Sequence, residues 1–138
     1  MSPSLELVLL DAGFILFHTL LIAFNLFGWC WRRTRRTNLL TLALTGLSWT
    51  VLGIWHGLGY CPCTDWHWQV RHRMGDYDLP RSYLKFLFDR ATGWEADPVL
   101  VDGLAAVAFL LAVGCSLFVN VRDLRRARRG ARFGNASL

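Results

Sequence analysis

Between Leu39 and Tyr60 the chain has no Asp, Glu, Lys or Arg. A run of that length leaves no room for the solvated face that a surface element of a soluble domain needs. Met1–Glu6 carries no Lys or Arg, which excludes the basic n-region of a secretory signal. The apolar run behind it is also too long for one, so cleavage is not expected. Apolar–polar alternation of strand period is missing as well, and this excludes β-strands as the spanning form. No internal repeat or low-complexity segment occurs.

What is present is segregated. The 138 residues amount to one domain and are 54% hydrophobic, yet they include 15 Lys+Arg. Apolar and basic residues fall in separate blocks, as in a bilayer protein. Three blocks reach the roughly 20 residues that cross a hydrocarbon core. They are Leu7–Trp31, Leu39–Tyr60 and Val99–Val121. The expected fold is all-α, a single membrane domain of three transmembrane helices. An outer loop over 61–98 adds one or two short interfacial helices, and a basic tail covers 122–138.

Arginine sets the expected orientation. Arg32, Arg33, Arg35 and Arg36 fill the link between the first two spans. Arg122, Arg125, Arg126, Arg128, Arg129 and Arg132 follow the third. The positive-inside rule puts both groups in the cytoplasm, so the N-terminus lies outside. The 61–98 connection mixes both signs, as suits an outer loop. The basic tail is expected to touch anionic lipid headgroups. No stacking pattern accompanies the charge, so nucleic acid is not an expected partner. Trp29 and Trp31 suit the inner interface; Trp55, Trp66, Trp68 and Trp94 suit the outer one.

Within the outer loop, Thr64 or Asp65 is expected to cap a helix running toward Met74, with Trp66, Val70 and Met74 on one side. Gly75–Pro80 breaks it. Tyr83, Leu84, Leu87, Phe88 and Ala91 share the apolar face of a second short helix, expected to lie in the interface. Asp97-Pro98 suits the start of the third span.

Polar residues inside spans are functional candidates. Counting turns from the outer ends places Asp11, His56 and Asp102 at one level. That layer reads either as a proton-handling or metal site or as an inter-helix clamp. Asp11, His18 and Asn25 recur every seven residues and so share one stripe. The second span answers with Thr41, Thr45 and Ser48, and His18 and Ser48 reach similar depth. A structural network of His18, Asn25, Thr45 and Ser48 follows, with Gly53-x-x-x-Gly57 admitting a neighbouring backbone. A haem shared by His18 and His56 is not expected, because a depth difference of about 10 Å separates them.

Cys30 and Cys115 fall in the inner half and read as packing. Cys61 and Cys63 face outward. With His67 and His72 they form C-x-C-x3-H-x4-H, a soft donor set suited to zinc or copper. A strained Cys61–Cys63 bridge suited to exchange chemistry is the other reading. The spacing matches no standard finger, so no cofactor is assigned.

Phe17-His18 in the first span and Cys61-Pro62-x-Thr64 after the second resemble a family of small bacterial integral membrane proteins of unknown function. The likeness extends through Asp65–Trp68 and Ser82–Lys85. It implies a three-span fold in the bacterial inner membrane and brings no activity. The resemblance implies that relatives usually have an aliphatic residue where Cys63 stands, which leaves Cys61-Pro62-x-Thr64 as the more general element. Three short helices enclose little volume, so self-association or a larger membrane partner is expected. Two functions then stand. One is a non-catalytic accessory or assembly protein acting through its outer loop. The other is a small metal- or thiol-dependent redox protein.

Overall fold

The computed structural model describes residues 4–134, and the side chains of residues 4–129. Residues 135–138 of the tail and the side chain of Arg132 lie outside the described residues. Helix α1 covers Leu5–Phe27, with Ser4 as its N-cap accepting a bond from the Leu7 amide. A 3-10 turn over Gly28–Cys30 ends it. Helix α2 (Arg35–Leu47) runs through a π-helical turn, Ser48–Leu52, into α3, Gly53–His56. Helices α4 (Pro62–Arg73) and α5 (Tyr83–Thr92) follow. Last comes α6, Pro98–Gly134. The described residues are helical without strands.

Three helical stretches are long and apolar enough to cross a membrane: Leu5–Cys30, Arg35–His56 and Pro98–Arg129. The expected all-α, three-span class stands. The bounds of the second shift, and each shift has a local cause. The span begins at Arg35 rather than Leu39, because Thr34 binds back to the Gly28 carbonyl at 2.6 Å and closes the turn. It ends at His56 rather than Tyr60, because Gly57 adopts φ +95°, which a helix cannot continue. The chain then folds back. Ser48 Oγ donates to the Tyr60 carbonyl at 2.8 Å and the Gly59 amide to Trp49 at 3.2 Å. The backbone that Gly53 admits is therefore the chain's own return at Leu58, 3.2 Å from where a Cβ would stand.

The third helix also differs in length. Its 37 residues give about 55 Å, well beyond a hydrocarbon core of ~30 Å. The arginine block is a helical extension of the span. At its start Asp97 accepts from the Leu100 amide at 2.9 Å.

Helix α1 packs against α4 and α6, α2 against α6, and α5 against α6. The interior between them is unusually polar. Leu42, Val70, Tyr83, Phe86, Ala112 and Val119 are the buried apolar residues, while Asp11, His18, Asn25, Asn38, Thr64, His67 and Ser116 are buried polar ones. Large apolar side chains such as Leu16, Leu20, Leu104 and Leu110 point outward instead. That inversion fits helices whose outer faces meet lipid and whose contacts rely on hydrogen bonds.

Two ends result. One carries the α4–α5 cap over the start of α1. The other holds the α1–α2 turn beside the basic part of α6.

Candidate functional site

The cap is anchored on Asp11 and His18 of α1. Asp11, His18 and Asn25 are the buried residues of that helix. They stand seven apart, so one stripe faces inward. Helix α4 lies across the outer part of the stripe. Pro62 takes its first turn, where a missing N–H is harmless. Thr64, His67 and Val70 then form the inward face. Thr64 is inside the helix and buried, and Cys61 is the N-cap. Thr64 therefore does not cap α4, and Trp66, 57% exposed, lies off the buried face.

His67 is completely buried. Its Nε2 sits 2.8 Å from Asp11 Oδ1, and Arg71 Nη1 reaches the same oxygen at 2.9 Å. Arg71 also donates from Nε and Nη2 to Asp76 Oδ2, at 3.1 and 2.5 Å. The result is a chain of four groups, His67–Asp11–Arg71–Asp76, joining α1, α4 and the turn after it. A carboxylate only accepts, so His67 uses Nε2–H as donor. Burial lowers the His67 pKa below the ordinary imidazole range, outweighing the bond to Asp11. The ring is neutral near pH 7. Burial also opposes the Arg71 charge, but Asp76 and Asp11 outweigh it and raise its pKa.

Aromatic rings wall this chain. His67 stacks on Phe14 at 5.3 Å and meets Phe86 edge-on at 5.9 Å. Tyr83 stacks on His18 at 3.9 Å and on Trp68 at 5.7 Å. The Arg71 guanidinium lies 4.9 Å over the Phe86 ring. Tyr83 and Phe86 come from α5, whose Ser82 cap accepts from the Lys85 amide. The buried face of α5 is thus Tyr83 and Phe86. Phe88 and Ala91, expected on that face, are exposed. Burial, helped by the Asp11 charge, pushes the Tyr83 phenol up to about 12. His18 Nδ1, His67 Nδ1 and Tyr83 Oη are buried without a hydrogen-bond partner.

A family model described as "Protein of Unknown function (DUF2784)" matches residues 8–121. The match runs from the first span through the cap to the apolar part of the third. The chain belongs to the DUF2784 family. This agrees with the resemblance drawn from the sequence and brings no activity. No curated protein and no solved structure matches the chain.

The structure of this DUF2784 chain redistributes the candidate residues. Asp11, His56 and Asp102 do not form a layer. Asp11 is held by His67 and Arg71, His56 is exposed and stacks on Tyr60 at 4.3 Å, and Asp102 is exposed. His56 is the last residue of α3 and is exposed just before the turn at Gly57. Cys61, Cys63, His67 and His72 are not gathered either. Cys61 Sγ lies 3.7 Å from His18 Nε2, His67 serves Asp11, and His72 stacks on Tyr77 at 5.5 Å. Helix α4 separates them: His67 faces α1, while His72 sits five residues on and turns away. Among the described residues no three His, Cys, Asp or Glu side chains are grouped to hold a metal. Cys61 and Cys63 are both free thiols, and burial beside Cys61 raises the Cys63 pKa.

The expected polar network divides in the same way. Asn25 donates to Thr45 Oγ1 at 3.0 Å. His18 and Ser48 do not meet, since Ser48 is taken by the Tyr60 carbonyl. His18 instead joins the cap. A shared haem has no geometric basis, with His18 buried beneath Tyr83 and His56 exposed outside.

Several residues escaped sequence reasoning. Arg71 was counted only as loop charge, although it stands four residues after His67 and so on the same helical face. Asp76 gave no signal, because a turn brings it back to Arg71. Asn38, fully buried, donates to the Phe24 and Asn25 carbonyls at 2.7 and 3.2 Å. It falls one residue before the expected start of the second span. Asp123 lies within the arginine block and pairs with Arg35 at 2.7 Å.

Proposed function

We propose that this is a multi-pass protein of the bacterial inner membrane, N-terminus outside and C-terminus cytoplasmic, acting as a non-catalytic accessory or assembly protein. Its working part is the outer cap of α4 and α5. The observation that carries this reading is the four-group chain His67–Asp11–Arg71–Asp76. The charged groups a catalyst would present to a substrate here bind one another. What they produce is a fixed cap, and that cap displays Trp66, Tyr77 and Trp94, the last two more than three-quarters exposed. Exposed aromatics on a rigid support suit a protein partner, either a second copy or a larger membrane protein.

A thiol-dependent redox role is the second reading. It rests on the Cys61–His18 contact at 3.7 Å, since an imidazole can take a thiol proton. The raised pKa of Cys63 works against it, because exchange chemistry needs a thiolate.

Native mass in mild detergent tests the choice, with thiol reactivity measured on the same sample. The accessory reading expects an assembly larger than the 15.8 kDa chain. Combined Trp66→Ala and Trp94→Ala changes should return it to monomer without altering helicity. A monomer whose Cys61 reacts faster than free cysteine would overturn that reading in favour of the redox one.

A further inference from the structure

The far end of α6 combines an apolar surface with unneutralised charge. Phe118, Arg122, Arg125 and Arg129 stand four, three and four residues apart, so they share one helical face. Leu117, Val121 and Arg126 flank them, and together these seven line an open groove of about 460 Å³. Phe118 is 67% exposed, so the floor of the groove is apolar and uncovered. The nearest acid is Asp123. It is bound by Arg35 at 2.7 Å and stands 3.8 Å from Arg122 Nε. Arg122 Nε itself is buried without a hydrogen-bond partner. Among the described residues, Arg125, Arg126 and Arg129 have no acidic partner, and all three are exposed.

An occupant has to satisfy both halves of this groove. A free phosphate or a nucleic-acid backbone would meet the guanidiniums and leave Phe118, Leu117 and Val121 bare. A phospholipid places an acyl chain on the apolar floor and its headgroup on the arginines. Arg122 to Arg126 cover about 6 Å of helix axis, close to the roughly 5–8 Å of one headgroup layer. Arg129 lies one turn further out. One phosphate accepts bidentate bonds from one or two guanidiniums, so the four arginines of the groove, three on one face and Arg126 beside them, suit two phosphates. We infer that this groove binds an anionic phospholipid whose headgroup carries two phosphates. The inference needs only that α6 crosses a bilayer, and holds whichever way the chain is oriented and whatever the cap does.

Native mass spectrometry of the full chain tests it, starting from phosphatidylcholine nanodiscs doped with either diphosphatidylglycerol or phosphatidylglycerol. One diphosphatidylglycerol per chain should be retained, at least tenfold over phosphatidylglycerol. Arg125→Gln with Arg129→Gln should remove that preference, and Phe118→Ala should weaken retention. Arg32→Gln with Arg33→Gln, which changes equal charge in the α1–α2 turn, should leave it intact. Equal retention of the two lipids, or equal loss from the two double variants, would show diffuse attraction and overturn the site. Displacement of the lipid by inorganic phosphate or by an oligonucleotide at matched charge would overturn it too, because either would mark a general anion surface.

Discussion

Each end of this bundle ties its helices with an ion pair between distant parts of the chain, but the two ends use charge differently. At the cap, Asp11 sits between His67 and Arg71, and all three are largely withdrawn from solvent. At the other end, Arg35 meets Asp123 while Arg32, Arg33, Arg125, Arg126, Arg128 and Arg129 remain exposed. Removing a partner from a buried set leaves an uncompensated charge in a poor solvent. Removing a partly exposed partner such as Asp123, 30% exposed against 11% for Asp11, lets water take its place. The cap therefore holds its charges in fixed geometry, and the basic end leaves most of its charge open to solvent.

The sharpest way to break this contrast is Asp11→Asn. It leaves Arg71 with Asp76 as its one acidic partner among the described residues and weakens the hold on His67, and should lower stability by about 3 kcal/mol. Chemical unfolding in detergent measures it, and faster labelling of Cys61 and Cys63 should accompany the loss. A change no larger than that of a surface pair would show that the cap charges are hydrated.

Gly28→Ala probes the tie at the other end that does not depend on ionic charge. An added Cβ would lie 2.9 Å from Asn38 Nδ2 and 3.1 Å from Phe24. Asn38 is fully buried and must shift, weakening its bonds to the Phe24 and Asn25 carbonyls. Loss of about 2 kcal/mol is expected, and Asn38→Ala on the Gly28→Ala background should add little.

Acid should act on the cap. The groups facing His67 are Asp11 from α1, Arg71 from α4, and Tyr83 and Arg90 from α5. Its folded pKa lies below the unfolded value of 6.5. Between those values the unfolded chain binds more protons, so stability rises with pH there. This contribution is complete above about pH 6.5 and is lost as pH falls through the folded pKa. His67→Gln should flatten that part of a stability–pH curve. An unchanged slope would show that folding does not shift the His67 pKa.

Thr45→Val removes the hydroxyl that Asn25 Nδ2 reaches, and should lower stability by about 0.6 kcal/mol. Asp123→Asn should do least. Its effect should appear at low ionic strength and fade at high salt, whereas that of Asp11→Asn should persist. Equal salt sensitivity at the two ends would erase the contrast between them.

Much of the fold was legible beforehand. Three apolar blocks became the three spans, and the seven-residue spacing of Asp11, His18 and Asn25 marked the inward stripe of α1. Half of the four-group chain, Asp11 and His67, was visible too, with His18 and Cys61 beside it, but in the wrong groups. Asp11 was matched by depth to His56 and Asp102, Cys61 and His67 were joined by motif spacing, and His18 was assigned to an inner network. Depth counting assumed straight helices running to Tyr60. The turn at Gly57 ends the helix early, just after the exposed His56, and α4 then lies across α1.

The sequence by itself determined which segments are long and apolar enough to cross a membrane and which face of the first helix turns inward. Those properties depend on hydropathy and helical period, which are local. Only the tertiary structure decided that Asp11 binds His67 and Arg71, that Cys61 meets His18, and that Asp123 answers Arg35. Each pair depends on where a distant helix is laid down, and a buried charge takes whichever partner packing brings within hydrogen-bond reach.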